Sequence, residues 1–168
     1  MNRKERRLTN ATGELLSTFI ASVVLGFTMM EAATGEEVQM GLFSVTLPVI
    51  AIFHDDLFAG EAIGYLDRTG TIDLRSVLDP KSKCVGSFRY TGLKTGVADM
   101  RCDDGVEARL SFNALSAFSG YGAGSTPRGP ASFTFGLNPQ EAAVHLTLPQ
   151  GTKLVERLEG LRLETVRP

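Results

Sequence analysis

From Gly41 to Phe53 the chain reads GLFSVTLPVIAIF, with Phe43, Val45, Leu47, Val49, Ala51 and Phe53 at every second position and Ser44 and Thr46 between them. Alternation at period two predicts a strand with one buried face. Pro48 inside the run predicts an edge position or a bulge, because proline has no N–H to give to a ladder. The polar triplet His54-Asp55-Asp56 then separates this run from LFAGEAIGYL, and DRTG separates that from TIDLRSVL, which gives two connected hairpins. After the loop DPKSK come CVGSFRY, TGVADMRC, VEARLSF, SAFSGYGAG and PASFTFGL. Roughly seven or eight short strands at hairpin spacing predict a mainly β domain over residues 41–150, an antiparallel β-meander rolled up or folded over as a sandwich.

Helical signal in this body is confined to NPQEAAVHL. Asn138 suits the cap, Pro139 the first helical position, and Glu141 stands where a capping box needs it. The last segment, residues 151–168, reads GTKLVERLEGLRLETVRP. Leu154, Leu158 and Leu161 share a helix face, although Gly160 interrupts it and LRLETV partly alternates. A short C-terminal docking helix is the expectation there.

The opening differs from the rest. Arg3, Lys4, Arg6 and Arg7 form a basic flank over residues 1–14, and the chain then carries no charge from Leu15 to Met30. As a helix that uncharged run covers roughly 24 Å, and Ala32 and Ala33 extend it toward bilayer thickness. Leu15, Phe19, Ile20, Val23, Val24 and Phe27 are apolar on every side of such a helix, unlike the stripe of a surface helix. A cleaved secretory signal is disfavoured by Glu31, which stands where a small residue is wanted before the cut. Arg6-Arg7 lacks the closely following apolar residues of a twin-arginine export signal. The expectation is a membrane-spanning anchor at 15–33 and a linker at 34–40. The basic flank lies before the span and Glu31, Glu36 and Glu37 after it, so the N-terminus is cytoplasmic and the β-domain extracytoplasmic, periplasmic if the source is bacterial.

The two cysteines, Cys84 and Cys102, bear on the same question. Closing their segment as a hairpin with Tyr90 opposite Gly96 places Cys84 opposite Cys102. It also gathers Gly86, Met100, Phe88 and Ala98 on one face and leaves Ser87, Arg89, Asp99 and Arg101 on the other. Directly opposed strand residues stand close enough for a disulfide. Zinc would need further ligands, and the only histidines, His54 and His145, make no recognisable spacing with the cysteines. A CxxC redox motif is absent. A cross-strand disulfide is the expectation, and it agrees with an oxidising compartment.

Composition narrows the function classes. The chain has 168 residues, a formal net charge of -2 and no basic cluster interleaved with aromatics beyond its first residues, which argues against nucleic acid as a partner. His54, Asp55 and Asp56 are the most enzyme-like cluster, but adjacent turn residues point apart, so a solvated turn is expected. GYGAGST lacks the Lys-Ser/Thr ending of a phosphate loop, and Pro127 and Pro130 obstruct the helix that should follow. No catalytic constellation, cofactor motif or metal set emerges. Tyr65, Tyr90 and Tyr121 are candidates for a contact surface.

The glycine spacing of the cysteine hairpin resembles the membrane occupation and recognition nexus (MORN) repeat, which opens with aromatic-x-Gly-x-aromatic and exits through Asp-Gly. Gly86 and Phe88 match the opening, Gly92 and Gly96 the turn region, and Asp104-Gly105 the exit, while Cys84 replaces the first aromatic and Ala98 a glycine. FAGEAIGYLDRTG at 58–70 is a weaker echo, and GYGAG at 120–124 supplies only glycines. The resemblance implies a meandering sheet used for contact with proteins or lipids. Independently of it, glycines in strands let an aromatic ring of the next strand lie over bare backbone. The functional expectation is a non-enzymatic accessory or assembly component of a membrane protein complex, anchored in the bilayer. An exported domain binding a small molecule or lipid is the alternative, favoured if the sheet encloses a dry apolar cavity, and a hydrolase or metal enzyme using His54, Asp55 and Asp56 comes third.

Overall fold

The computed structural model describes residues 39–40 and 43–166. The anchor expected at 15–33, with Leu15, Phe19, Ile20, Val23, Val24 and Phe27, lies outside them. Among the described residues no helix is long and apolar enough to cross a membrane.

Eight antiparallel strands follow one another in sequence and close into a barrel. They are β2 (Ser44–Phe53), β3 (Asp56–Tyr65), β4 (Thr69–Ser76), β5 (Lys83–Tyr90), β6 (Thr95–Cys102), β7 (Glu107–Ala114), β8 (Gly120–Thr126) and β9 (Gly129–Phe135). Each pairs with the next, and β9 returns to β2 from Val49↔Phe135 to Phe53↔Ala131. Closure removes the open edges that a rolled sheet or sandwich would leave. A two-residue strand, β1 (Gln39–Met40), pairs with Val45 and Thr46 of β2.

The alternation read in the sequence is the alternation of the wall. Val45, Leu47, Val49, Ala51 and Phe53 belong to the interior core, together with Phe58, Ile72, Leu74, Met100, Leu110, Phe112, Phe133 and Phe135. Phe43 does not continue that face, since it precedes β2 and is exposed. Pro48 makes no bulge, because the β2–β3 register runs unbroken from Ser44↔Tyr65 to Phe53↔Asp56. Its carbonyl accepts from Gly136 N–H, one step past the last β2–β9 pair. The proline nitrogen points to that same side, where the ladder ends, so no ladder bond is lost.

The other face of β2 is also buried. Ile50, Ile52 and Leu57 form a second, outer core with Ala142 and Leu146 of α1 (Pro139–His145), and Leu154, Leu161 and Leu163 pack against it. The predicted capping box is present, with Asn138 Oδ1 accepting from Glu141 N–H at 2.9 Å and Glu141 accepting from Asn138 N–H at 3.3 Å. Residues 151–168 are not helical. They form the hairpin β10 (Thr152–Arg157) and β11 (Gly160–Thr165), in register at Leu154↔Leu163. Gly160, at φ 112°, sits where a helix would need ordinary right-handed backbone, and the leucines that pack inward follow the strand period.

Candidate ligand site in the barrel mouth

The barrel has two unlike ends. One carries the β3–β4, β5–β6 and β7–β8 turns, and the other the β2–β3, β4–β5, β6–β7 and β8–β9 turns. The second end is filled by Phe53, Phe58, Leu74, Met100, Leu110 and the cysteines. The first opens into a cavity of about 480 Å³. A barrel of eight strands either fills with side chains or leaves room for one small ligand, and this one is filled at one end and leaves a cavity at the other.

Interior positions near the mouth are cleared by a pairing rule. Phe88 stands directly across from Gly70, Phe112 from Gly96, Phe133 from Gly122 and Phe135 from Gly120. A Cβ at any of these glycines would collide with the facing ring. The rings therefore lie back over the wall and form an edge-to-face array, with Tyr90 and Phe112 at 5.0 Å and Phe112 and Phe135 at 5.9 Å between centroids. Beside them the lining includes small or slim residues, Val45, Ala62, Gly64 and Ala114. The space they enclose is the cavity.

Its lining is apolar within and polar only at the rim, where Tyr65, Arg68, Thr69, Lys94 and Ser116 stand. The charged lining residues are both cations, Arg68 and Lys94. Arg68 has left-handed backbone at φ 67°, donates to the carbonyls of Gly92 and Leu93, and lays its guanidinium 4.7 Å from the Tyr90 ring centre. It thus ties the β3–β4 turn to the β5–β6 turn. Burial holds the Tyr90 phenol above its ordinary pKa, and the Arg68 charge pulls partly the other way.

The residues singled out from the sequence fall elsewhere or here in part. Cys84 and Cys102 are bonded, with Cα atoms 3.9 Å apart, and every pair expected from Tyr90↔Gly96 onward is observed. They staple the filled end. His54 and Asp55, at φ 51° and 63°, make the two-residue turn between β2 and β3, also at the filled end. There His54 Nε2 lies 2.6 Å from Thr126 Oγ1, and Arg128 pairs with Asp104. Asp55 and Asp56 do not converge with His54 on the cavity. Among the described residues no group of three His, Cys, Asp or Glu side chains is placed to hold a metal ion. Tyr65 and Tyr90 line the mouth, whereas Tyr121 stacks on His145 at 4.4 Å outside the barrel. GYGAGST is strand β8.

No family model, curated protein or solved structure matches this chain.

Proposed function

We propose that the barrel binds one lipid-like small molecule, its apolar part in the cavity and its polar end among Arg68, Lys94, Thr69 and Ser116 at the rim. The observation that carries this reading is the apolar cavity of about 480 Å³ at the open end. Its size lies within the usual range of ligand pockets, roughly 300–1,000 Å³. Among the described residues the lining holds no carboxylate, imidazole or thiol, which supports binding over acid–base or nucleophilic chemistry. Export to an oxidising compartment is supported by the Cys84–Cys102 disulfide and by the basic flank preceding the apolar run at 15–33. The accessory-subunit reading rests on the N-terminal run, the stapled domain and the lack of a catalytic constellation, none of which calls for a cavity, so ligand binding is preferred.

Gly64 supplies the test. It lines the cavity, and a Cβ there is in ordinary contact with Val45 Cγ1 at 3.4 Å and Phe88 Cζ at 3.6 Å, so the larger side chain of Gly64→Leu takes up cavity space from a position where the first added carbon fits. A fluorescent long-chain fatty acid should bind the full-length protein saturably at one site, and Gly64→Leu should weaken binding by about tenfold or more while melting like the parent. Equal affinity of the variant, with its fold intact, would exclude the cavity as the site.

A further inference from the structure

The turns at the two ends of the barrel differ in chemistry as much as the interiors do. Around the mouth, Phe43, Tyr65, Leu66, Leu93, Leu115 and Phe118 are exposed large apolar residues, with Leu66 at 78% and Leu93 at 91% exposure. The turns of the filled end instead present His54, Asp55, Asp79, Lys81, Asp103, Asp104 and Arg128, and among the described residues Leu78 is their one exposed large apolar side chain. Apolar turn tips are costly in water, and a group of them around one opening marks a surface that is covered in use, whereas Leu78 and, in the β10–β11 turn, Leu158 stand singly.

We propose that this rim docks on a phospholipid bilayer carrying anionic headgroups, so that the cavity opens into the membrane interface. A bilayer suits the rim better than a protein does. The crown is a discontinuous ring of separate turn tips around an opening, which gives a protein partner no continuous face, whereas hydrocarbon conforms to any arrangement of leucine and phenylalanine. Arg68 and Lys94 stand in the same ring and carry the charge that anionic headgroups would meet. Asp67, the acidic residue of the β3–β4 turn, is occupied locally, accepting from Thr69 N–H at 3.0 Å and Thr69 Oγ1 at 2.7 Å. Docking by this rim is independent of whether the cavity holds a ligand.

The chain contains no tryptophan, so a single introduced indole reports its own surroundings. Full-length Leu66→Trp and Leu78→Trp proteins would be reconstituted into vesicles with brominated acyl chains. Leu66 lies at the rim and does not line the cavity, and a brominated fatty acid added without vesicles measures any quenching by a chain merely held inside. The expected result is a blue-shifted, quenched indole in Leu66→Trp and a solvent-like, unquenched one in Leu78→Trp. Quenching of the rim indole should be severalfold stronger in anionic than in neutral vesicles, and Lys94→Gln should reduce that difference. An unquenched rim indole, or equal quenching in the two variants, overturns docking. A blue shift in Leu66→Trp without quenching also overturns it, and assigns the rim to a protein partner or a second copy of the chain. Equal quenching in neutral and anionic vesicles overturns the role given to Arg68 and Lys94. Fatty-acid binding that persists when the rim indole is unquenched leaves the ligand reading standing.

Discussion

A single atom decides the shape of the mouth at Gly96. Its missing Cβ is where the Phe112 ring lies, and the carbonyl of Arg89 closes the remaining space. Gly96→Ala must therefore displace an aromatic that touches Phe88, Tyr90, Phe133 and Phe135. Overpacking of this kind costs about 1–3 kcal/mol, so chemical denaturation should show that loss for Gly96→Ala and almost none for Gly64→Ala, where the added methyl has room. The general rule, an aromatic over a neighbouring glycine, was legible in the sequence from the glycines recurring inside apolar runs. Which glycine faces which ring was not legible, because the four pairs lie across β4–β5, β6–β7 and β8–β9, whereas the register was fixed by a second constraint only at the β5–β6 cysteine hairpin. Tyr90 offers a separate check at this scale. Its phenol is raised by burial and lowered by Arg68, so Arg68→Gln should push the Tyr90 ionisation further up in an alkaline absorbance titration, and Tyr90→Phe should delete that step. Because the folded value is raised, the stability it confers is fully present below the unfolded phenol value near 10 and is lost as pH rises through the folded one. An unmoved titration in Arg68→Gln would mean that the guanidinium does not act on the ring.

Among the elements, the β5–β6 hairpin was the most readable. Amphipathic faces and the cysteine pair agreed on one alignment, and a shift by one residue would have turned Phe88 and Met100 outward. Its disulfide spans a sequence separation of 18, and Cys84 is fully buried. Replacing both cysteines by alanine should cost on the order of 3 kcal/mol in urea unfolding, and the parent should keep its disulfide in mild reductant until it unfolds. Equal unfolding midpoints would show that the hairpin is set by its strand pairing alone. The C-terminal hairpin was misread for an equally specific reason. Leu154, Leu158 and Leu161 fall at helical spacing, but Leu158 sits at the turn and is fully exposed, while the residues that pack on Ile50 and Ile52 are Leu154, Leu161 and Leu163. Gly160 and the alternation of LRLETV were the better signals. Helix α1 was legible because its cap chemistry is local, from Asn138 to Glu141.

At the scale of the whole molecule, closure and the cavity depend on contacts that no local pattern contains. The β2–β9 seam joins residues far apart in sequence, and the run VIAIF gave a hint of it only by being apolar on both faces. The cavity depends on small residues from separate strands, Val45, Ala62, Gly64 and Ala114, sharing one lining with the rings, which needs the closed barrel to be known. Leucines in turns were the signal that sequence reading passed over. The seam is also the weakest line in the wall. β2 pairs with β3 along its full length, but with β9 only from Val49 to Phe53, and beyond that point the two-residue β1 takes over the same side at Val45 and Thr46. Fewer ladder bonds and no staple should make this the first place to open, whereas the disulfide holds β5 to β6. Amide hydrogen exchange read by mass spectrometry should thus show peptides from Gly129–Phe135 and from the first half of β2 exchanging before those of Lys83–Cys102. A fatty acid in the cavity touches Val45, Leu47, Val49, Phe133 and Phe135 from inside and should slow exchange at the seam more than at the hairpin. Uniform exchange around the barrel would mean that the wall opens as one unit, and protection confined to the hairpin would exclude the seam side of the cavity as the place where the fatty acid sits.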